Sequence, residues 1–283
     1  MKRLLVILHV YYHDHVSYFI DKMKNINGCE WDLIVTYSEQ SQRTKKKFKD
    51  FKPDTKFVVV DNTGYDVWPF IQTVKALDLS GYDYILKLHT KNISNPSIRL
   101  NGLKQTGHRW RNLLVDSMLK SPKQFSKCLK RLERNPKIGM ISCYELFVNL
   151  TDRRPEDTYM LEEEATRIGL KIKTGRFCAG TMFIVRPECL KVILDAKFTP
   201  DMWVAGKSHS LGTLAHVYER LLCIAVLDAG YRCNTITTNR TKATKVLIHR
   251  RVSKVLKSIF TIDRRAEDRK KYMILFGKKF MLE

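Results

Sequence analysis

Acidic side chains are scarce in this 283-residue chain: 29 Asp and Glu stand against 51 Lys and Arg, a formal charge of +22. An imbalance of that size draws a protein to phosphates, whether on nucleic acid, on a nucleotide or on anionic lipid headgroups. Long apolar runs are missing too. No stretch approaches the ~20 apolar residues of a membrane span, so any contact with a bilayer is expected to be peripheral. The seven cysteines are odd in number and never form a Cys-x-x-Cys pair, which argues against a disulfide framework or a zinc ribbon and suits reduced thiols in a cytoplasm. Residues 1–10 join a basic pair to a short apolar run, but His9, Tyr11, His13 and Asp14 follow with no small-residue cleavage site, so a secretory leader is not expected. Internal repeats and low-complexity linkers are absent as well.

What is present alternates. Short apolar runs at Leu4–Leu8, Trp31–Tyr37, Phe57–Val60 and Tyr82–Leu88 read as strands, separated by segments with helical spacing. That pattern predicts βαβ units and an α/β fold whose mainly parallel sheet is covered by helices on both faces. Further on, helices are expected around Trp110–Leu119 and Phe125–Glu133, and a strand at Ile138–Ser142. A polar, acidic insertion runs from Thr151 to Glu164, and Phe177–Val185 reads as one late strand. Leu214, Val217, Leu221 and Ile224 mark the buried face of a long helix that Gly230 would stop.

In such sheets ligands bind outside the carboxyl ends of the strands. Those ends carry Tyr11 to His15, Thr36 to Ser38, Asn62 to Asp66 and His89 to Asn92. The most informative segment is Tyr82-Asp83-Tyr84-Ile85-Leu86-Lys87-Leu88-His89-Thr90-Lys91. Alternation along a strand sends Lys87, His89 and Lys91 to one side. Three cations there would meet the negative charge of a departing diphosphate; the plainer reading is Lys on an exposed sheet edge.

Asn62, Gly64 and Asp66 form a turn that could hold ribose or sugar hydroxyls, with Gly64 allowing close backbone approach. Tyr11, Tyr12 and His13 offer flat surfaces to a nucleobase, or are ordinary core aromatics. Thr36, Arg111, Gly180 and Thr181 complete the expected donor-binding set, and Ala179-Gly180 would permit close approach within the late strand. His216, Glu219 and Arg220 fall at i, i+3 and i+4 on a polar helix face. Glu219 is the candidate general base for an acceptor hydroxyl, with Trp110, His216 and Arg220 expected beside the acceptor. His13-Asp14-His15 resembles a metal-binding pair but lacks a third ligand.

HVYYHDHVSYF, DNTGYDVWPF, YDYILKLHTK, HRWRNLL, IGMIS, CAGTMFIVRP and AHVYERLLCIAVLDAGY follow one another in order. Together they resemble the rhamnan synthesis protein F family of bacterial polysaccharide glycosyltransferases, over roughly Leu4 to Arg232. The resemblance implies a nucleotide-diphosphate-sugar-dependent transferase, a rhamnosyltransferase or a relative. Its setting would be assembly of rhamnose-containing O-antigen lipopolysaccharide, capsule or cell-wall polysaccharide. It implies a dTDP-rhamnose-like donor, a lipid-linked glycan acceptor and, if rhamnose is the sugar, inversion. The element order is also similar to the GT-A fold, in which Asn62 and Gly64 match an early Asn-x-Gly and Glu219 falls where the base would be. The Asp-x-Asp motif of that fold is absent, and Lys-Leu-His-Thr-Lys stands in its place. Lys87, His89 and Lys91 would then replace the cation, so no metal or other cofactor is expected, although a divalent cation is not excluded.

The domain expectation is a transferase unit over residues 1–248, with a nucleotide-binding half (1–120) and an acceptor half (121–248), followed by a basic tail (249–283). That tail holds 11 Lys and Arg against 4 Asp and Glu, a net +7, beside an apolar stripe of Val252, Val255, Leu256 and Ile259. It suits a peripheral position on the anionic inner face of the cell membrane. A nucleic-acid-binding protein is the rival reading for a +22 chain, but no helix-turn-helix, zinc or RNA-recognition motif supports it. A non-catalytic partner in polysaccharide assembly is the second rival.

Overall fold

The structure, a computed structural model, describes all residues except 95–96, 151–154, 173–174, 204–212, 265–270, 277 and 283. The first half alternates strand and helix: β1 (Arg3–His9), α1 (Val16–Met23), β2 (Glu30–Tyr37), α2 (Gln42–Phe51), β3 (Lys56–Val59), α3 (Val67–Lys75) and β4 (Tyr84–His89). A small hairpin, β5 (Ile98–Leu100) with β6 (Leu103–Gln105), leads to α4 (Gly107–Leu119), α5 (Pro122–Arg134) and β7 (Ile138–Cys143). Then come β8 (Phe147–Asn149), α6 (Pro155–Arg167), β9 (Arg176–Cys178), β10 (Phe183–Val185), α7 (Lys191–Asp195), α8 (Leu214–Asp228) and β11 (Arg232–Ile236). The chain continues through α9 (Arg240–Ile259) into β12 (Phe260–Arg264), β13 (Lys271–Leu275) and β14 (Lys278–Leu282).

The central sheet has the order β11-β7-β10-β4-β1-β2-β3. Every pairing in it is parallel except those of β10, which runs antiparallel to both β4 and β7. The α/β architecture with a mainly parallel sheet is therefore the one the sequence predicts. β1 carries the unbroken apolar run Leu4–Leu8, and β4 is buried along its whole length, because both are covered on both faces. α1, α2, α4 and α5 pack with one another, and α3, α6, α7 and α8 form a second group. One buried core extends from Leu4 to Ile236 and spans both expected halves.

Three expectations change. Phe177–Val185 is not one strand but two, β9 and β10, belonging to different sheets. They are separated by a turn at Gly180 (φ +94°) and Thr181 (φ +42°). The polar insertion at 151–164 falls partly outside the described residues (151–154), and its remainder lies in α6. Rather than one apolar stripe, α8 buries Ala215, Val217, Tyr218, Arg220 and Leu221 to Val226, because α6, β9, β11 and the α3/α7 group surround it. Its end is as expected: Gly230 adopts φ +82° and the Tyr231 N–H returns to the Val226 carbonyl at 3.0 Å.

Because β10 enters the sheet reversed, its amino-terminal end lies on the same rim as the carboxyl ends of β1, β2, β4, β7 and β11. The Gly180-Thr181 turn is thereby delivered to the place where the strand ends gather.

Candidate active site

Lys87 and His89 are two residues apart on β4, so alternation puts both on the face toward α3. β4 is central, between β1 and β10, which removes the edge-strand reading of its lysine. Lys87 is 1% exposed and its Nζ lies 2.5 Å from Oδ2 of Asp66 and 2.9 Å from Oγ1 of Thr181. The Thr181 hydroxyl also donates to Asp66. His89 Nδ1 stands 3.2 Å from the same carboxylate oxygen, within ion-pair range but without hydrogen-bond alignment. Residues 66, 87, 89 and 181 thus form one buried knot.

Its protonation follows from burial and charge. Burial alone would raise the Asp66 pKa, but the neighbouring His89 and Lys87 and the hydrogen bonds from Lys87 and Thr181 hold its carboxyl far below the usual range. Burial drives His89 well below its ordinary value, the Asp66 charge offsetting only part of that. With His89 neutral at physiological pH, the Lys87 ammonium is the charge that balances Asp66. His9, in register with both His89 and Thr36, is lowered by burial to about 4. Its Nδ1 meets Thr36 Oγ1 at 3.0 Å. A row of buried polar side chains therefore runs across β2, β1 and β4.

The second half of the site is the Gly180 turn. Oε1 of the half-buried Glu219, on α8, accepts the Gly180 N–H at 2.6 Å. The Trp110 indole N–H points to the Ala179 carbonyl at 3.4 Å, and Lys91 Nζ lies 4.0 Å from the centroid of the Trp110 ring. A Cβ on Gly180 would stand 2.7 Å from Leu114 Cδ1 and 2.9 Å from Trp110 Nε1, so a side chain there would force both to shift as well as straining the left-handed backbone. Glu219, Trp110 and Lys91 thus surround one turn, and Thr181 ties that turn to the Asp66 knot.

A second left-handed pair faces it. Gly64 (φ +63°) and Tyr65 (φ +53°) precede α3. The Gly64 N–H donates to the Trp203 carbonyl at 3.1 Å, and the Trp203 ring stacks on Trp68 at 4.8 Å. Tyr65 is exposed and approaches the His216 ring at 5.6 Å. A β-branched Thr181 and an aromatic Tyr65 in the left-handed region are costly, and strain of this kind collects at functional sites.

The remaining expected residues divide. Tyr11 is exposed and packs edge-on against Tyr12 at 4.9 Å; both backbone N–H groups donate to Thr90 Oγ1 at 2.9 Å. His13 turns to Thr44 Oγ1 at 2.9 Å and His15 is buried beside Tyr12, so the two histidines diverge. Asn62 is exposed at the rim. Arg111 lies 3.8 Å over the Tyr18 ring and bonds Asn112, so its guanidinium is engaged away from the expected donor set. Thr36 is fully buried against His9, not open to a ligand. His216 and Glu219 share a half-buried face, but Arg220 does not. It is 1% exposed over the Phe177 ring and donates to the His216 carbonyl, because its long side chain is turned inward between α8 and β9. Nor do the three basic residues at the end of β4 and just beyond it act alike: Lys87 is buried and neutralised, His89 is uncharged, and Lys91, two residues past the strand, is half-buried. His9 and Thr90 were missing from the expected set; the signal for His9 was its place at the end of an apolar run level with His89.

Oδ2 of Asp66 is engaged by Lys87 and Thr181, so an ammonium already stands beside this carboxylate. Among the described residues no group of three or more His, Cys, Asp or Glu is arranged to hold a metal.

The model of the family described as rhamnan synthesis protein F matches residues 1–231. The chain belongs to that family. A relative within reach is the uncharacterized protein WxcX of Xanthomonas campestris pv. campestris strain B100, 23% identical over 233 residues, or 82% of this chain. The match takes in 32% of WxcX, so the chain spans about a third of the length of the curated relatives it matches. Among solved structures, S. aureus TarS 1–349 in complex with UDP aligns over 84% of this chain and 59% of its own, at 11% identity and TM-score 0.46. The mannosyltransferase PcManGT from Pyrobaculum calidifontis, in complex with GDP-Man and Mn2+, aligns over 84% and 55%, at 12% identity and TM-score 0.41. Membership of the rhamnan synthesis protein F family rests on the match over residues 1–231 and not on these distant alignments.

Proposed function

We propose that the chain moves a sugar from a nucleotide-diphosphate donor to a growing cell-surface polysaccharide, with Glu219 as the general base. The supporting observation is the position of that carboxylate. It is held by the Gly180 N–H at the strand-end rim, one residue from the Thr181–Asp66–Lys87 knot. In a single displacement the acceptor oxygen forms its bond to the anomeric carbon and passes its proton to Glu219. The bond from that carbon to the diphosphate breaks, and the nucleoside diphosphate leaves with the electron pair.

In this reading the exposed Tyr11 ring and the rim residue Asn62 serve the donor. Lys91 meets the charge of the leaving diphosphate, while Lys87, His89 and Asp66 fix the rim without touching it. Trp110, with one face under Lys91, borders the acceptor together with His216. The donor is a dTDP-rhamnose-like nucleotide sugar, the reaction inverts, and the acceptor is lipid-linked; membership of the rhamnan synthesis family supports the sugar class. The scaffold is GT-A-like, with the Lys91 ammonium in place of a metal. The domain reading is likewise a proposal: residues 1–120 for the donor, 121–248 for the acceptor, and a basic tail at the inner face of the membrane.

A thermal-shift and hydrolysis screen across nucleotide sugars, with and without strong chelator, tests this, since a ligand of the native state raises its melting temperature. A selective, chelator-insensitive response to a dTDP-deoxysugar is expected. A response restricted to other donors would refute the sugar assignment, and loss of turnover with chelator would refute the metal-free scheme. Transfer left unchanged by Glu219→Gln would refute the base.

A further inference from the structure

α9 carries seven Lys and Arg and no Asp or Glu over its 20 residues. It has two unlike faces. Val246 and Arg250, at i and i+4, dock on the body: Val246 is fully buried, and Arg250 donates to the Tyr144 and Phe147 carbonyls at 3.0 and 2.5 Å. Ile248, Val252, Val255, Leu256 and Ile259 fall on the opposite side of the wheel. All five are exposed, Val252, Val255 and Leu256 at 50 to 58%. Docking has therefore used the wrong side of the helix for its apolar stripe, which is left facing outward.

The stripe continues beyond the helix. Phe260 at its end is exposed, and Phe276, at the turn between β13 and β14, is 73% exposed in the left-handed region (φ +48°). That conformation favours Gly or Asn, and a bulky aromatic there is strained. The Phe276 N–H bonds the Ile259 carbonyl at 2.7 Å, which holds the turn against the end of the stripe. Met281 and Phe280 on β14 are exposed as well.

We propose that this surface, the outer face of α9 with the Phe276 turn, lies in the interface of an anionic lipid bilayer. The apolar stripe enters the headgroup and acyl boundary, and the flanking Arg251 and Lys254 meet lipid phosphates. Charge selects the occupant: a helix with basic residues and no acidic ones fits an anionic surface, and the apolar stripe between its charges fits the boundary beneath it. Among the described residues no helix is long and apolar enough to cross a membrane, so the chain would lie on the surface. This inference rests on the peripheral placement of the tail given above and not on the transfer chemistry.

The test is co-sedimentation of the full chain with vesicles of phosphatidylcholine alone or with added phosphatidylglycerol, at physiological and raised salt. Binding only to the anionic vesicles, weakened by salt, is expected. Arg251→Gln and Lys254→Gln should each lower partition about fivefold. Phe276→Gly relieves the backbone strain and should still lower it about tenfold. Combined Val252→Ser, Val255→Ser and Leu256→Ser should abolish it, with the melting temperature as the control for folding. Equal binding to neutral vesicles, or partition unaffected by the apolar substitutions, would overturn the proposal. So would self-association that these substitutions remove while the protein never binds vesicles, or binding to nucleic acid in place of lipid.

Discussion

Glu219 and Gly180 are joined by a 2.6 Å hydrogen bond from a backbone N–H to a carboxylate oxygen across 39 residues of sequence. The bond fixes where the carboxylate points, since an anionic acceptor binds such a donor strongly. Glu219→Gln keeps the shape of the side chain and removes the proposed base. It should lower kcat by about 100-fold or more with KM little changed; steady-state transfer assays on the preferred donor read the split.

A side chain at Gly180 is costly. Gly180→Ala combines a left-handed φ with contacts under 3 Å to Leu114 and Trp110, and should cost about 1 to 3 kcal/mol in stability. Denaturant melts measure this. Gly28, also left-handed but with open space around it, is the control: Gly28→Ala should cost less.

Asp66 and Lys87 are expected to be far more sensitive singly than together. Lys87→Met strands the Asp66 carboxylate and should destabilise by about 3 kcal/mol or more, whereas Lys87→Met with Asp66→Asn should recover much of the loss. A double-mutant cycle in denaturant gives the coupling directly.

Acid should weaken the fold in two stages. His9 and His89 are held neutral by burial, so the unfolded chain binds protons below about 6.5 that the native chain refuses. Stability should fall from that pH downward, by about 3 kcal/mol for His9 by the time pH nears its native value of about 4. Asp66, whose native value is depressed, stabilises the fold above about 3.8 and that contribution is lost as pH falls further. Melts from pH 8 to 3 should show a plateau above about 7; a stability that rises on acidification would contradict the burial of both histidines.

The thiols should be quiet in the native state. Burial pushes Cys128 and Cys189 up to about 12 and Cys29 to about 11, and Cys178 and Cys143 upward as well. A thiol reagent at neutral pH should label half-buried Cys233 and Cys29 before the rest, and all seven cysteines only after unfolding.

Much of this arrangement was legible in the sequence because periodicity and turn chemistry are local. The apolar runs of β1, β2 and β4, the polar residues at their ends, and the long α8 closing on Gly230 follow from spacing alone. So does the common facing of Lys87 and His89. What could not be read was which charges would meet. That Lys87 is cancelled by Asp66 depends on α3 returning its first turn over β4, and that Arg220 turns inward depends on Phe177 of a different sheet. Likewise CAGTMFIV is apolar enough to be one strand. Only the left-handed Gly180 and Thr181 divide it, and the threonine gives no local sign of that conformation. The α9 stripe was visible as a pattern, but its outward direction is decided by the docking of Val246 and Arg250.

The Trp203 ring lies on Trp68, touches Tyr218 one residue before Glu219, and its carbonyl receives the Gly64 N–H. This wedge makes the Asn62–Asp66 loop and the base-bearing helix a single mechanical piece. Grafting that loop from another family member to change the proposed donor preference would therefore shift Glu219 as well, unless Trp68 and Tyr218 on the two sides of the wedge were transplanted with it.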